Sequence, residues 1–153
     1  MQPFVNDKES LIEVHKVLKD LNLEHLKLYA KIENSNGFEH LEEIIEYCDC
    51  IVIARGDLGN AYGLTVLPVI QHRIEETCKK HHKSYMVVTE MLNSMCENAV
   101  PTRSEVSDIF NAVYNGADSI MLTGETASGK YPIEAMKYFS QTAYLALKER
   151  NQE

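Results

Sequence analysis

Cys50-Ile51-Val52-Ile53-Ala54-Arg55-Gly56-Asp57-Leu58-Gly59 is the stretch that decides the fold. Its first half is a continuous apolar run, where a half-buried strand would alternate. That is the pattern of a parallel strand covered on both faces. The run then changes within one residue to a cation, a glycine and a carboxylate, the composition of a tight strand–helix connection. Upstream, the apolar residues of 26–32 stop in the same way at Lys31-Ile32-Glu33-Asn34. Downstream, two more continuous runs lie within residues 85–88 and 119–122. They end at Thr89-Glu90-Met91-Leu92 and Thr123-Gly124-Glu125-Thr126-Ala127.

Between these runs apolar residues recur at helical spacing. Leu11, Val14, Val17, Leu18 and Leu21 form one stripe over 10–21, Leu41, Ile44 and Ile45 a second over 38–47, and Val69, Ile70, Ile74 and Cys78 a third over 66–82. Thr102 followed by Glu105 is a capping box opening a helix through Val106, Ile109, Phe110 and Val113 that stops near Asn115-Gly116. Pro132 suits the first turn of a last helix through Ala135, Met136, Phe139, Ala143 and Leu147. Residues 1–5 read as the tail of a further strand. One helix followed by four strand–helix units, joined by right-handed crossovers, predicts a parallel α/β sheet. With no linker or low-complexity segment, residues 1–153 are expected to form a single domain.

At 153 residues and 44% hydrophobic, the chain is long enough to bury a real core. A net charge of −8, with Lys79-Lys80 the only basic cluster, argues against nucleic acid or an anionic membrane as partner. No apolar run reaches the roughly 18 residues of a membrane span, and the N-terminus lacks a signal-peptide layout, so a soluble, cytoplasmic protein is expected. Cys48, Cys50, Cys78 and Cys96 contain no Cys-x-x-Cys pair and read as reduced, structural thiols. The six histidines show no His-Glu-x-x-His spacing, and His81-His82 reads as a helix-end dipole contact or plain surface.

The chemistry gathers at the strand ends. Strand alternation puts Lys31 and Glu33 on one face and Ile32 on the other. A lysine ending a strand is often only a surface residue with its stem on the core. With Asp57 from the next unit, however, Glu33 offers two hard oxygen ligands to a divalent metal, magnesium or manganese rather than calcium. Ser and Thr are common turn residues, so the clusters beginning at Thr89 and Thr123 carry little singly. Four polar clusters at four consecutive strand ends carry more, because parallel α/β folds place their chemistry there.

These clusters resemble the signatures of the pyruvate kinase family. They are Lys31-Ile32-Glu33-Asn34, Ala54-Arg55-Gly56-Asp57-Leu58-Gly59, Thr89-Glu90-Met91-Leu92-Asn93-Ser94-Met95, Pro101-Thr102-Arg103-Ser104-Glu105 and Gly124-Glu125-Thr126-Ala127-Ser128-Gly129-Lys130-Tyr131-Pro132. They follow the family's order and spacing. The resemblance implies a partial TIM-type barrel of about four parallel βα units, the end of strand four through helix eight. It implies a catalytic lysine at Lys31, metal ligation by Glu33 and Asp57, and a substrate carboxylate against Arg55, Gly56 and Asp57. Thr89 would touch substrate beside the enolate carbon and arrange its protonation. The family's reaction is phosphoryl transfer from phosphoenolpyruvate to ADP, giving pyruvate and ATP, with Mg2+ or Mn2+ and K+ as cofactors.

Two positions depart from the pattern. Glu90 stands where the family usually has Gln, and Asn60-Ala61-Tyr62-Gly63-Leu64 replaces a Val-Glu-Ile-Pro type of stretch. The resemblance covers neither the nucleotide- and K+-binding strands, nor a capping domain, nor a C-terminal regulatory domain. It therefore implies a segment inactive by itself, one that forms a homo-oligomer or complements another barrel half. Two rival readings remain beside it. One is a non-catalytic half-barrel that complements another chain. The other is a metal-dependent pyruvate-enolate lyase or aldolase, which needs no ADP site.

Overall fold

Residues 1–152 are described by a computed structural model, and each of the four apolar runs contains a strand. These are β1 (Tyr29–Ile32), β2 (Cys50–Ala54), β3 (Ser84–Val88) and β4 (Ser119–Met121). They form one parallel sheet in chain order, with helices between, so the fold is a partial α/β barrel of four βα units. Two compact units divide the chain within β3, Met1–Met86 and the part from Val87 onward.

In the first unit β1 and β2 pair in parallel, Tyr29 with Cys50 through Ile32 with Ile53. All five residues of β2 are buried, as its unbroken apolar run predicts. The expected extra strand at residues 1–5 is reduced to a single bridge. Gln2 pairs with Ala30, donating to the Tyr29 carbonyl (2.7 Å) and accepting from the Lys31 N–H (2.9 Å). Helix α1 (Lys8–Asp20) starts where the Asp7 carboxylate accepts from the Ser10 N–H at 2.9 Å. The helix expected over 38–47 is broken into α2 (Ser35–Glu39), α3 (Leu41–Ile44) and a 3-10 turn at Ile45–Tyr47. Asn34 caps α2 early by accepting from the Gly37 N–H (2.8 Å), and Gly37 weakens helix propagation within it. The connection expected at Arg55 is itself helical. α4 (Arg55–Tyr62) follows β2 without a loop, because Leu58 and Gly59 bury against the core and fix the turn. Gly63, at φ +85°, ends it, and α5 (Leu67–Lys80) follows with Pro68 in its first turn.

The second unit holds α6 (Arg103–Tyr114), α7 (Gly124–Ala127) and α8 (Pro132–Arg150) around β4. The capping box at Thr102 and Glu105 is formed as predicted. Ile109, Ala112 and Val113 of α6 are buried, as are Ala135, Phe139 and Ala146 of α8, and the Arg150 guanidinium donates to the Val113 carbonyl (2.8 Å). Two-sided burial holds at the end of β3, where Val87 and Val88 are both fully buried, but not at Met86, which is half-buried, nor in β4, all three residues of which are half-exposed. β4 is the last strand of the sheet and pairs along one edge only. The four cysteines are free thiols, and burial raises the Cys48 thiol to about 11.

Candidate functional site

The first unit brings Lys31 and Glu33 together at the end of β1. Residues 31 and 33 share a face, while Ile32, on the other, is fully buried. The Lys31 ammonium lies 2.5 Å from Glu33 Oε1, and the Phe4 N–H donates to Oε2 at 2.7 Å. Glu33 is only 2% exposed, so its carboxylate is held on both oxygens within a nearly closed site. The Phe4 donor was not legible in the sequence. It depends on a left-handed residue (φ +48°) that turns the N–H away from the β1 ladder, at a position where a non-glycine signals nothing in advance.

Arg55, Gly56 and Asp57 lie at the same end of the sheet. Ile32 pairs with Ile53, so Glu33 emerges one residue past the ladder where β2 gives way to α4. Arg55 is buried, Gly56 half-buried and Asp57 exposed in the first turn of α4. The divergent Asn60-Ala61-Tyr62-Gly63-Leu64 segment closes α4. The Tyr62 ring packs edge-on against Phe38 of α2, centroids 5.8 Å apart. The unusual residues here thus serve local packing.

Among the described residues no group of three or more His, Cys, Asp and Glu that could hold a metal ion is assembled. Glu33 and Asp57 are carboxylates, the kind of hard oxygen donor that a divalent cation takes.

In the second unit Thr89 and Glu90 follow β3 with φ +72° and +54°. Two consecutive left-handed residues without glycine, one of them β-branched, store backbone strain. Glu90 is exposed and Thr89 half-buried. The residue that sequence reasoning did not single out is Glu125, which is 1% exposed. Its Oε1 accepts from the Leu92 N–H (3.0 Å). Its Oε2 accepts from the Thr123 N–H (2.8 Å) and the Thr123 hydroxyl (3.3 Å). Burial raises this carboxyl, yet the backbone and hydroxyl donors outweigh burial and hold it below the ordinary glutamate value. Its only advance signal was its place in the polar cluster that begins at Thr123, after the apolar run of 119–122. Glu105 plays a similar part, accepting from the Ser94 N–H (2.7 Å) and hydroxyl (2.6 Å) and from the Thr102 N–H (2.8 Å).

Comparison with known proteins agrees with this geometry. The family model of the pyruvate kinase barrel domain matches residues 1–136. The pyruvate kinase of Aeropyrum pernix is 43% identical over 146 residues, 95% of this chain and 32% of that protein. That of Thermotoga maritima is 41% identical over 146 residues, covering 95% and 31%. That of Lactococcus lactis is 45% identical over 134 residues, covering 88% and 27%. The chain spans about a third of the length of these curated relatives. A match running through every strand and every cluster described above settles the lineage: the chain belongs to the pyruvate kinase family, within its barrel domain.

Proposed function

We propose that residues 1–153 form one partial barrel domain carrying the metal- and phosphoenolpyruvate-binding side of a pyruvate kinase site, acting in the cytoplasm. The observation that carries this reading is the buried Glu33 carboxylate, held by Lys31 and the Phe4 N–H beside the first turn of α4. Glu33 and Asp57 would hold Mg2+ or Mn2+, which supplies electrophilic stabilisation of substrate oxygens when bound. The N–H groups of Arg55, Gly56 and Asp57 at the start of α4 face a substrate carboxylate, where helix N-termini favour anions. Lys31 brings positive charge to the phosphoryl and enolate oxygens. Thr89, held in a strained conformation, contacts the substrate and governs proton delivery to the enolate carbon.

In the parent reaction the phosphoryl group passes from phosphoenolpyruvate to ADP, leaving pyruvate and ATP. The first prediction is that the 153-residue chain binds Mn2+ and a pyruvate-like dicarboxylate such as oxalate, and that Glu33→Gln abolishes both. A coupled lactate dehydrogenase assay is expected to show no ADP-dependent pyruvate formation. Turnover by the isolated chain would overturn the claim that it carries one side of the site only, and unchanged Mn2+ affinity in Glu33→Gln would overturn the ligand assignment.

A second reading is favoured by a specific observation in the second unit. Ile133, Tyr144 and Leu145 of α8 are 63%, 66% and 51% exposed. Such a face suits assembly with a second copy or a complementing barrel segment.

A further inference from the structure

We infer that Lys31 and a divalent cation alternate as the counter-ion of Glu33, so that metal loading releases the Lys31 ammonium toward the substrate oxyanion. The inference rests on the assignment of Glu33 as a metal ligand and concerns how that site is regulated.

The argument begins with burial. Glu33 is 2% exposed, and an ionised carboxylate so far from water needs a cation or hydrogen-bond donors on its oxygens. Among the described residues Lys31 is its one ion-pair partner, 2.5 Å from Oε1. The other oxygen is committed elsewhere: the Phe4 N–H holds Oε2 at 2.7 Å. That donor belongs to a backbone segment fixed on β1 by the Gln2 bridge and by the Val5 N–H, which donates to the Lys31 carbonyl at 3.3 Å. Behind it Gly37 approaches so closely that a Cβ there would lie 2.3 Å from the Val5 carbonyl oxygen. The carboxylate plane is therefore set by the backbone, and Oε1 is the oxygen open to exchange.

The two cations differ in what holds them. The lysine side chain is 23% exposed, on a flexible four-carbon stem that can swing outward while its root stays in β1. A divalent ion brings twice the charge and gains Asp57, at the same end of the sheet, as a second oxygen donor. Held against one oxygen, the two like charges repel strongly in a site shielded from water, which drives the ammonium off as the metal arrives. The incoming metal thus keeps the buried carboxylate neutralised as the ammonium leaves. The ammonium then carries its charge to the open side of the site, where an anion can take the place of Glu33. Metal affinity and anion affinity are linked through one side chain, with the sign of positive cooperativity.

Mn2+ titration calorimetry on the 153-residue chain and two variants tests this. Lys31→Met keeps the stem and removes the competing charge, so it is expected to bind Mn2+ about tenfold more tightly than the unsubstituted chain. Glu33→Gln is expected to lose binding. If Glu33→Gln loses binding while Lys31→Met gains nothing, the exchange is wrong and the ligand assignment stands. If Glu33→Gln keeps its affinity, both fail. A crystal structure of the unsubstituted chain with Mg2+ gives a readout independent of the variants' folding. Lys31 Nζ more than 4 Å from Glu33 Oε1, with the metal on that oxygen, is the expected result. An ammonium still paired with a metal-bound Glu33 overturns the proposal.

Discussion

At the scale of single residues, two of the three buried glutamates among the described residues lie just past strand ends and are neutralised by different means. Glu33 is balanced by a lysine, whereas Glu125 is balanced by N–H and O–H dipoles from Leu92 and Thr123. The second arrangement has a pH consequence whose sign follows from the shift. The folded carboxyl of Glu125 lies below its ordinary value, despite the opposing effect of burial, because its donors favour the charged form. Its contribution is therefore complete above the ordinary glutamate range and is lost as pH falls through that range toward the folded value. Replacing it with Gln leaves donors facing an amide group that cannot accept them all. We expect Glu125→Gln to cost about 1–3 kcal/mol at pH 7. Urea unfolding across pH should show the gap between the two proteins shrinking below about pH 5. A gap that is constant with pH would mean the carboxylate charge is not what holds Leu92 and Thr123.

At the scale of elements, β2 was readable to the residue because an unbroken apolar run leaves only one way to be buried. The capping box at Thr102 was equally readable, since its two partners are three residues apart in sequence. What escaped was set by contacts distant along the chain. The break between α2 and α3, the helical start at Arg55 and the Phe4 donor to Glu33 depend on residues brought together only by folding. In the site, the pairing of Lys31 with Glu33 followed from alternation, while the clamp by Glu125 on Leu92, 33 residues away, did not. Gly37 illustrates the same limit. Its φ is ordinary and its neighbours give no sign that it must lack a side chain, yet a Cβ would meet the Val5 carbonyl at 2.3 Å. We expect Gly37→Ala to destabilise the chain by about 1–3 kcal/mol through overpacking. It should also weaken Mn2+ binding, because the segment it displaces carries the Phe4 N–H. Thermal unfolding with and without Mn2+ separates the two effects. A variant that is less stable but gains as much from Mn2+ as the parent chain would show that Phe4 does not orient Glu33.

At the scale of the whole molecule, a family whose members are about three times longer supplies a context that these residues alone do not. The second unit makes the point in physical terms. α6 and α8 bury one face against each other, but a groove of about 410 Å³ lined by Val106, Phe110, Thr142 and Leu145 stays open between them. Tyr144, Leu145 and Leu147 of α8 expose large apolar surface beside it. Scattered apolar residues need no explanation, whereas several on one stretch of helix next to an open groove favour association. The net charge of −8 opposes self-association at low salt by long-range repulsion, and salt screens that repulsion while leaving apolar contact intact. If α8 is an assembly surface for a second copy, sedimentation velocity will show self-association that rises with concentration and strengthens from about 0.01 M to 0.15 M salt. Leu145→Lys combined with Tyr144→Lys will then return the chain to monomer at every concentration tested, with its helical signal unchanged. Strictly monomeric behaviour of the unsubstituted chain across that range would leave a different polypeptide, such as a complementing barrel segment, as the occupant of this face.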